Sequence, residues 1–237
     1  MRSLFFDHLG STNDFLKELI NGLSPAPFLG VLTNRQTKGR GRLNRTWSSE
    51  KGSSFLYSLL LPDEKKPFHL GFVAAVSAIE VLNKNYSIEA FMKWPNDIYW
   101  QNKKLGGILL EKEKEFLILG IGINLNQQIF SDDIREKAVS LFQISGIQVS
   151  PRMFLIYFEK SFLKNFQKWK ENPYFYMTQI LPPYLCWINE KVVLEYADQV
   201  EKKGIFKGID QDGFLLLERN NIIEKIPSGD LKLCLSQ

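Results

Sequence analysis

The chain has 237 residues, 44% hydrophobic and 24% charged, which is long enough to bury a core and too apolar for a disordered segment. Its formal net charge is only +4, with a pI near 8.9, a balance that suits an anionic ligand or an acidic partner and is too weak to signal nucleic-acid binding. No stretch of about 18 apolar residues is present for a membrane helix, and Asp7 and His8 interrupt any signal-peptide core.

In chain order, SLFFDHL (3 to 9) reads as a first strand. Ser11-Thr12-Asn13 then offers N-cap chemistry for a helix in which Phe15, Leu16, Leu19, Ile20 and Leu23 recur at helical spacing. Gly22 and the SPAP segment at 24 to 27 end it. FLGVLTN (28 to 34) is a strand running into an arginine loop, and SSFLYSLLL (53 to 61) is a buried strand stopped by Pro62. Pro67 opens a helix through about residue 83. DIYWQNKKLGGILLE (97 to 111) has the pattern of a hairpin around a polar QNKK turn, and FLILGIGINLN (116 to 126) that of another buried strand. A long helix from about 151 to 170 carries Leu155, Phe158, Phe162, Phe166 and Trp169 as a core stripe. Pro182-Pro183 marks a boundary. Beyond it KVVLEY, KGIFKGID and GFLLLE, with Asp212-Gly213 as a hairpin signal, suggest a small β-barrel appended to an α/β-type domain.

Cys186 and Cys234, with only His8 and His69 elsewhere, make a poor set for a zinc site of about four ligands and read as reduced thiols of a cytoplasmic protein. Three motifs carry more pointed chemistry. In GRGRLNRTW (39 to 47) the glycines leave the backbone free, Arg40, Arg42 and Arg45 can grip a carboxylate or phosphate through paired hydrogen bonds, and Trp47 can stack on a base. Read alone, the stretch is equally a solvated basic loop, while a nucleic-acid contact would want more cations and exposed aromatics nearby. In KWPND (93 to 97), Pro95 fixes the backbone beside Asn96 and Asp97, an oxygen pair suited to the magnesium of a triphosphate, with Lys93 as a phosphate-seeking charge. The plainer reading is a self-capped turn from helix to strand. KKLGGILLE (103 to 111) sets Lys104 at a hairpin with Gly106-Gly107 open to close ligand approach, or is an ordinary basic turn. The chain lacks a phosphate-binding G-x-x-x-x-G-K-[ST] loop and a G-x-S-x-G elbow, and GIGIN (120 to 124) lacks the third glycine of a dinucleotide fingerprint.

Taken together and in order, STN (11 to 13), QTKGRGRLNRTW (36 to 47), KWPND, KKLGGILLE and GIGINLN (120 to 126) resemble the biotin protein ligases, and KGIFKGIDQDGFLLLE with IPSGDL resembles that family's C-terminal barrel. The resemblance implies an α+β catalytic domain over residues 1–182, on a mixed β-sheet related to class II aminoacyl-tRNA synthetases and lipoate ligases. A small Src-homology-3-like β-barrel over 183–237 would follow. It implies a reaction in which biotin attacks the α-phosphate of MgATP to give biotinyl-5′-AMP, after which a lysine of a biotin carboxyl carrier domain displaces AMP. By the same resemblance Ser11, Thr12, Asn13 and Gln36 would bind the ureido ring. Gly39, Arg40, Gly41, Arg42, Lys104 and Gly107 would complete the biotin site, with Lys104, Arg42 and Arg45 as catalytic residues. Arg45, Trp47, Lys93, Asn96, Asp97 and Asn124 would hold ATP, with Asn96 and Asp97 managing Mg²⁺. STN begins so early that no room is expected for the winged-helix domain of repressor-type ligases, hence no DNA binding; no membrane contact is expected, and a homodimer is compatible with the family. Departures from the family pattern are Lys38 before the glycines, Leu43-Asn44 for the more usual Arg-Gly, and GSSFL (52 to 56) without its asparagine. A lipoate or octanoyl transferase on the same fold, or an RNA-binding module using the arginine loop, is the alternative.

Overall fold

The computed structural model describes residues 1–23, 25–196 and 201–234, so Ser24 of the SPAP segment lies outside the described residues. Strands β1 (Arg2–Phe6), β2 (Leu29–Thr33), β3 (Ser54–Pro62), β4 (Phe91–Lys93), β5 (Asp97–Trp100), β6 (Lys103–Glu113) and β7 (Phe116–Asn124) form a seven-stranded sheet in the order β1-β2-β3-β7-β6-β5-β4. The β1–β2 pair is parallel and the other neighbours are antiparallel, so the domain is mixed α+β rather than the α/β type that alternating elements suggest. Helices α1 (Thr12–Gly22), α2 (Pro67–Tyr86), α3 (Leu141–Ser145), α4 (Pro151–Glu171) and the single turn α5 (Pro173–Phe175) complete it.

Strand alternation assigns the two faces of this sheet to different jobs. Phe55, Tyr57, Leu59 and Leu61 of β3 and Leu117, Leu119, Ile121 and Ile123 of β7 join one apolar core with α2 and α4. The predicted stripe of α4 is part of it: Leu155, Phe158, Phe162 and Trp169 are buried, and Phe166 packs beside them. On the opposite face, Leu16 and Ile20 of α1 cover Val31, Leu60, Phe116 and Ile118. That helix is short, and past its end β7 presents Gly120, Gly122 and Asn124.

A second sheet, β8 (Lys191–Glu195), β9 (Glu201–Ile209), β10 (Leu215–Arg219), β11 (Ile222–Ile226) and β12 (Asp230–Leu233), is antiparallel in the order β11-β10-β9-β8-β12. Its inward residues, including Val192, Phe206 and Leu231, continue the apolar core of the first sheet. Leu185 bridges to Met92, and the Trp94 indole donates to the carbonyl of Gly213 at 3.0 Å. The Pro182-Pro183 pair sits in a helical turn (Pro182–Tyr184) packed against both sheets' core rather than in an open linker.

Several expectations change. The first strand stops at Phe6, because Asp7 and His8 bend away and only Leu9 resumes pairing, with Gln36. KWPND turns between two strands, not from helix to strand, since β4 precedes it. The hairpin turn is Gln101-Asn102 alone, with Gln101 at φ 52° supplying the left-handed bend; both lysines of QNKK already belong to β6.

Candidate active site

Over the glycine half of β7 lies a cavity of about 810 Å³, within the range of small-molecule sites. Its walls are the start of α1, the arginine loop, the KWPND turn, the start of β6, and β12 from the second sheet. The arginine loop folds back on itself through Gly41 N–H to Arg45 carbonyl at 2.7 Å and Trp47 N–H to Gly39 carbonyl at 3.0 Å. Trp47 then lies against β7 where only glycine fits: a Cβ on Gly122 would stand 2.7 Å from the indole ring. Leu43 is held at φ 54° and is 69% exposed.

One end of the cavity is a cluster of buried neutral polar groups. Ser11 caps α1, accepting from Asp14 N–H at 3.4 Å. The Gln36 side-chain carbonyl accepts from Thr12 N–H at 2.8 Å, and Ser58 Oγ lies 2.6 Å from Thr12 Oγ1 and 2.5 Å from Asn13 Oδ1. Asn13 Nδ2 donates to Glu111 at 2.7 Å. Gly120 makes room for this, since a Cβ there would stand 2.5 Å from Asn13 Oδ1. Burial raises the Glu111 carboxyl, but hydrogen bonds from Asn13, Lys17 and Arg40 outweigh it and hold the group below the usual carboxylate range.

The rest of the cavity is ringed by cations, each resting on an acceptor. Arg40 bonds Asp14 and, with both terminal nitrogens at 3.1 Å, Glu111. Arg42 donates to Asn96 Oδ1 at 2.9 Å, and Arg45 to Asp230 at 3.1 Å. Lys93 lies 2.8 Å from Asp230, and Lys104 lies 2.6 Å from Asp97 and 5.9 Å from the Trp47 ring centroid. A register shift opposite Ile98 and Tyr99 lets Lys104 and Gly106 pair on either side of Leu105, and this bulge aims Lys104 into the cavity. Burial lowers the Lys93 ammonium's pKa, yet Tyr99, Asp230 and Asp97 raise it overall, so the cation is retained. Burial raises Asp230 while Lys93 and Arg45 hold it low.

Every site residue expected from sequence lines this cavity except Gly39. Gly39 is buried behind the loop, where its lack of a Cβ lets the Trp47 carbonyl approach. It closes the loop and is not part of the cavity lining. Unforeseen participants are Ser58, Glu111, Gly120, Gly122 and Asp230. Glu111 and the two glycines belong to quoted motifs, and Asp230 to IPSGDL, but only three-dimensional contact places the glycines and Asp230 in the cavity lining and Glu111 behind it.

The donor set does not fit a resident magnesium ion. Asn96 spends Oδ1 on Arg42 and Nδ2 on the Ile108 carbonyl, and Asp97 faces Lys104 and, at 4.0 Å, Lys93. Among the described residues no group of three or more His, Cys, Asp or Glu side chains could hold a metal.

With this geometry in hand, the relatives are informative. Residues 5–127 match the biotin/lipoate A/B protein ligase family, and residues 188–231 match the biotin protein ligase C terminal domain. The bifunctional ligase/repressor BirA of Bacillus subtilis is 34% identical over 97% of this chain and 73% of its own. The biotin–[acetyl-CoA-carboxylase] ligase of Paracoccus denitrificans is 28% identical over 93% of this chain and 96% of its own. The biotin protein ligase from Aquifex aeolicus solved with biotin and ATP superposes with a TM-score of 0.89 at 31% identity, over 99% of both chains. Two matched segments, near-full-length relatives and a shared architecture agree: the chain belongs to the biotin protein ligases of the biotin/lipoate A/B protein ligase family.

Proposed function

We propose that this cavity holds biotin and ATP side by side, biotin's ring on the Thr12–Asn13–Gln36 cluster and the triphosphate among the cations. The chain is an ATP-dependent ligase that biotinylates a lysine through biotinyl-5′-AMP. The observation that carries the placement is the meeting, in one cavity, of a buried neutral polar pocket and a ring of cations. A ureido ring needs donors and acceptors when buried, and the pocket offers both. Trp47 Nε1 is buried without a protein partner, a donor that a bound ligand can satisfy.

The chemistry asks for positioning and charge stabilisation, not a protein nucleophile. A biotin carboxylate oxygen bonds to the α-phosphorus as the bond to pyrophosphate breaks. Lys104 and Arg42 face the carboxylate and the α-phosphoryl oxygens, where negative charge is shared, and Arg45 and Lys93 exchange Asp230 for phosphate. Asn124 and Trp47 flank the nucleotide. The arginine loop keeps water from the mixed anhydride. The acceptor amine then attacks the carbonyl, AMP leaves with the electron pair of the cleaved C–O bond, and the amine's proton passes to solvent. Magnesium, in this reading, enters with ATP, and no step is routed through it.

The acceptor is a biotin carboxyl carrier domain, whose usual acidity complements the +4 chain. We read the second sheet as a Src-homology-3-like barrel following a catalytic fold of the class II synthetase type, divided near residue 182. Free Cys186 and Cys234 suit a reducing cytoplasm. The test is transfer of labelled biotin to a purified carrier domain in competition with unlabelled lipoate. Labelling that requires ATP and ignores lipoate supports the reading; suppression by equimolar lipoate moves the chain to the lipoate branch.

A further inference from the structure

Glu111 lies on β6, behind the cavity wall rather than in it, yet it contacts three groups from two different walls. Asn13 and Lys17 of α1 donate to its separate oxygens at 2.7 Å each. Arg40 of the arginine loop spans both oxygens at 3.1 Å in a bidentate pair. With its side chain 18% exposed, this carboxylate is screened far less than a surface ion pair.

The consequence reaches the cavity through hydrogen-bond polarity. A carboxylate only accepts, so Asn13 must turn Nδ2 toward Glu111 and Oδ1 toward Ser58. With Asn13 Oδ1 only 2.5 Å away, the Ser58 hydroxyl must donate to it; the Thr12 hydroxyl, 2.6 Å from Ser58 Oγ and 3.0 Å from the Gln36 side-chain oxygen, then donates its one hydrogen to one of these two. Thr12 Oγ1 is left with lone pairs for the cavity. Gln36 accepts from Thr12 N–H, which leaves its amide hydrogens to donate. One ionised group thus orders which atoms around the cavity donate and which accept, and the same group pins the loop that covers it.

We infer that Glu111 is a positioning residue that sets the donor and acceptor order of the acid-binding end and holds the arginine loop closed, without touching either substrate. This rests on the assignment of biotin to the Thr12–Asn13–Gln36 end. Glu111→Gln and Glu111→Ala divide the two roles. The glutamine keeps an oxygen for Asn13 but sets an amide against Arg40; alanine removes both.

The experiment is steady-state adenylation by the full chain with KM for biotin and for ATP measured separately. Trypsin cleavage of the ligand-free protein within 38–47 is followed alongside, and each variant's melting temperature is recorded. Glu111→Ala should raise KM for biotin by about tenfold or more, raise KM for ATP several-fold less than that, and speed loop cleavage by about tenfold. Glu111→Gln should speed cleavage nearly as much while recovering a large part of the biotin KM. Equal changes in both KM values, tracking a lowered melting temperature, would mean a structural role only and overturn the inference. Unchanged cleavage in both variants would overturn it as well. Loop cleavage reads the clasp without substrate, so faster cleavage beside a wild type indifferent to biotin would fault the ligand assignment and not the clasp.

Discussion

The two faces of β7 are made from alternate residues of one nine-residue strand, and they do opposite things. Leu117, Leu119, Ile121 and Ile123 point into the core under α2 and α4, where burial rewards every methylene. Gly120, Gly122 and Asn124 point the other way, where the absence of side chains lets Asn13 and Trp47 lie against the backbone. One face holds the molecule together by filling space, and the other makes a cavity by leaving it. Stability and ligand use should therefore respond to different substitutions a few ångströms apart.

The largest effect expected is on the filled face. Phe158, fully buried between Phe55 and Tyr57, should cost about 3–5 kcal/mol of unfolding free energy as Phe158→Ala, read by denaturant titration. The surviving folded fraction should bind biotin normally. Next come Gly122→Ala and Gly120→Ala, whose Cβ atoms overlap Trp47 and Asn13 and should each cost about 1–3 kcal/mol, expressed as weaker substrate use. Calorimetric titration with biotin and with ATP checks this. A fall in melting temperature as large as that of Phe158→Ala, with intact binding, would erase the distinction between the faces.

Asp230→Asn should act more gently, because it loosens Arg45 and Lys93 without removing either. Its expected mark is a rise of a few fold in KM for ATP beside an unchanged KM for biotin, since Asp230 contacts Arg45 and Lys93 and not the Thr12–Asn13–Gln36 cluster. The smallest effect concerns His69, buried in the first turn of α2 and accepting from Trp169 Nε1 at 3.0 Å. Burial, aided by the Lys66 charge, lowers its imidazole to about 4 from 6.5. Between those values the unfolded chain binds a proton that the folded chain does not, so stability falls as pH drops through that window. His69→Gln should flatten this slope in melting curves recorded from pH 7 to pH 4.

The filled face was legible in the sequence because apolar periodicity is a local signal: the stripe of α4 and the runs of β3 and β7 could be read residue by residue. The emptied face was legible only in part. GIGIN looked like a failed dinucleotide fingerprint, since a glycine's use depends on what approaches it, and Trp47 is 75 residues away in sequence. β4 was missed because three residues are too short to show a period. The QNKK pattern gives both lysines to a turn, because the bulge at Leu105 leaves no trace in composition. Glu111 and Asp230 carry no local signal for a related reason. A carboxylate's partners are set by packing between elements, and neither partner set is local. Motif order, in contrast, picks residues that nearly all line the cavity, with Gly39 the exception.

The central claim is that the emptied face of β7 and the cations around it form one adenylation site. The most direct measurement is biotin-dependent exchange of labelled pyrophosphate into ATP by the wild-type chain, with Lys104→Ala and Arg42→Ala alongside. Exchange that requires biotin and falls by about 10²–10³ in each variant, at unchanged melting temperature, is the predicted result. Exchange that proceeds without biotin, or that survives both substitutions, would contradict it.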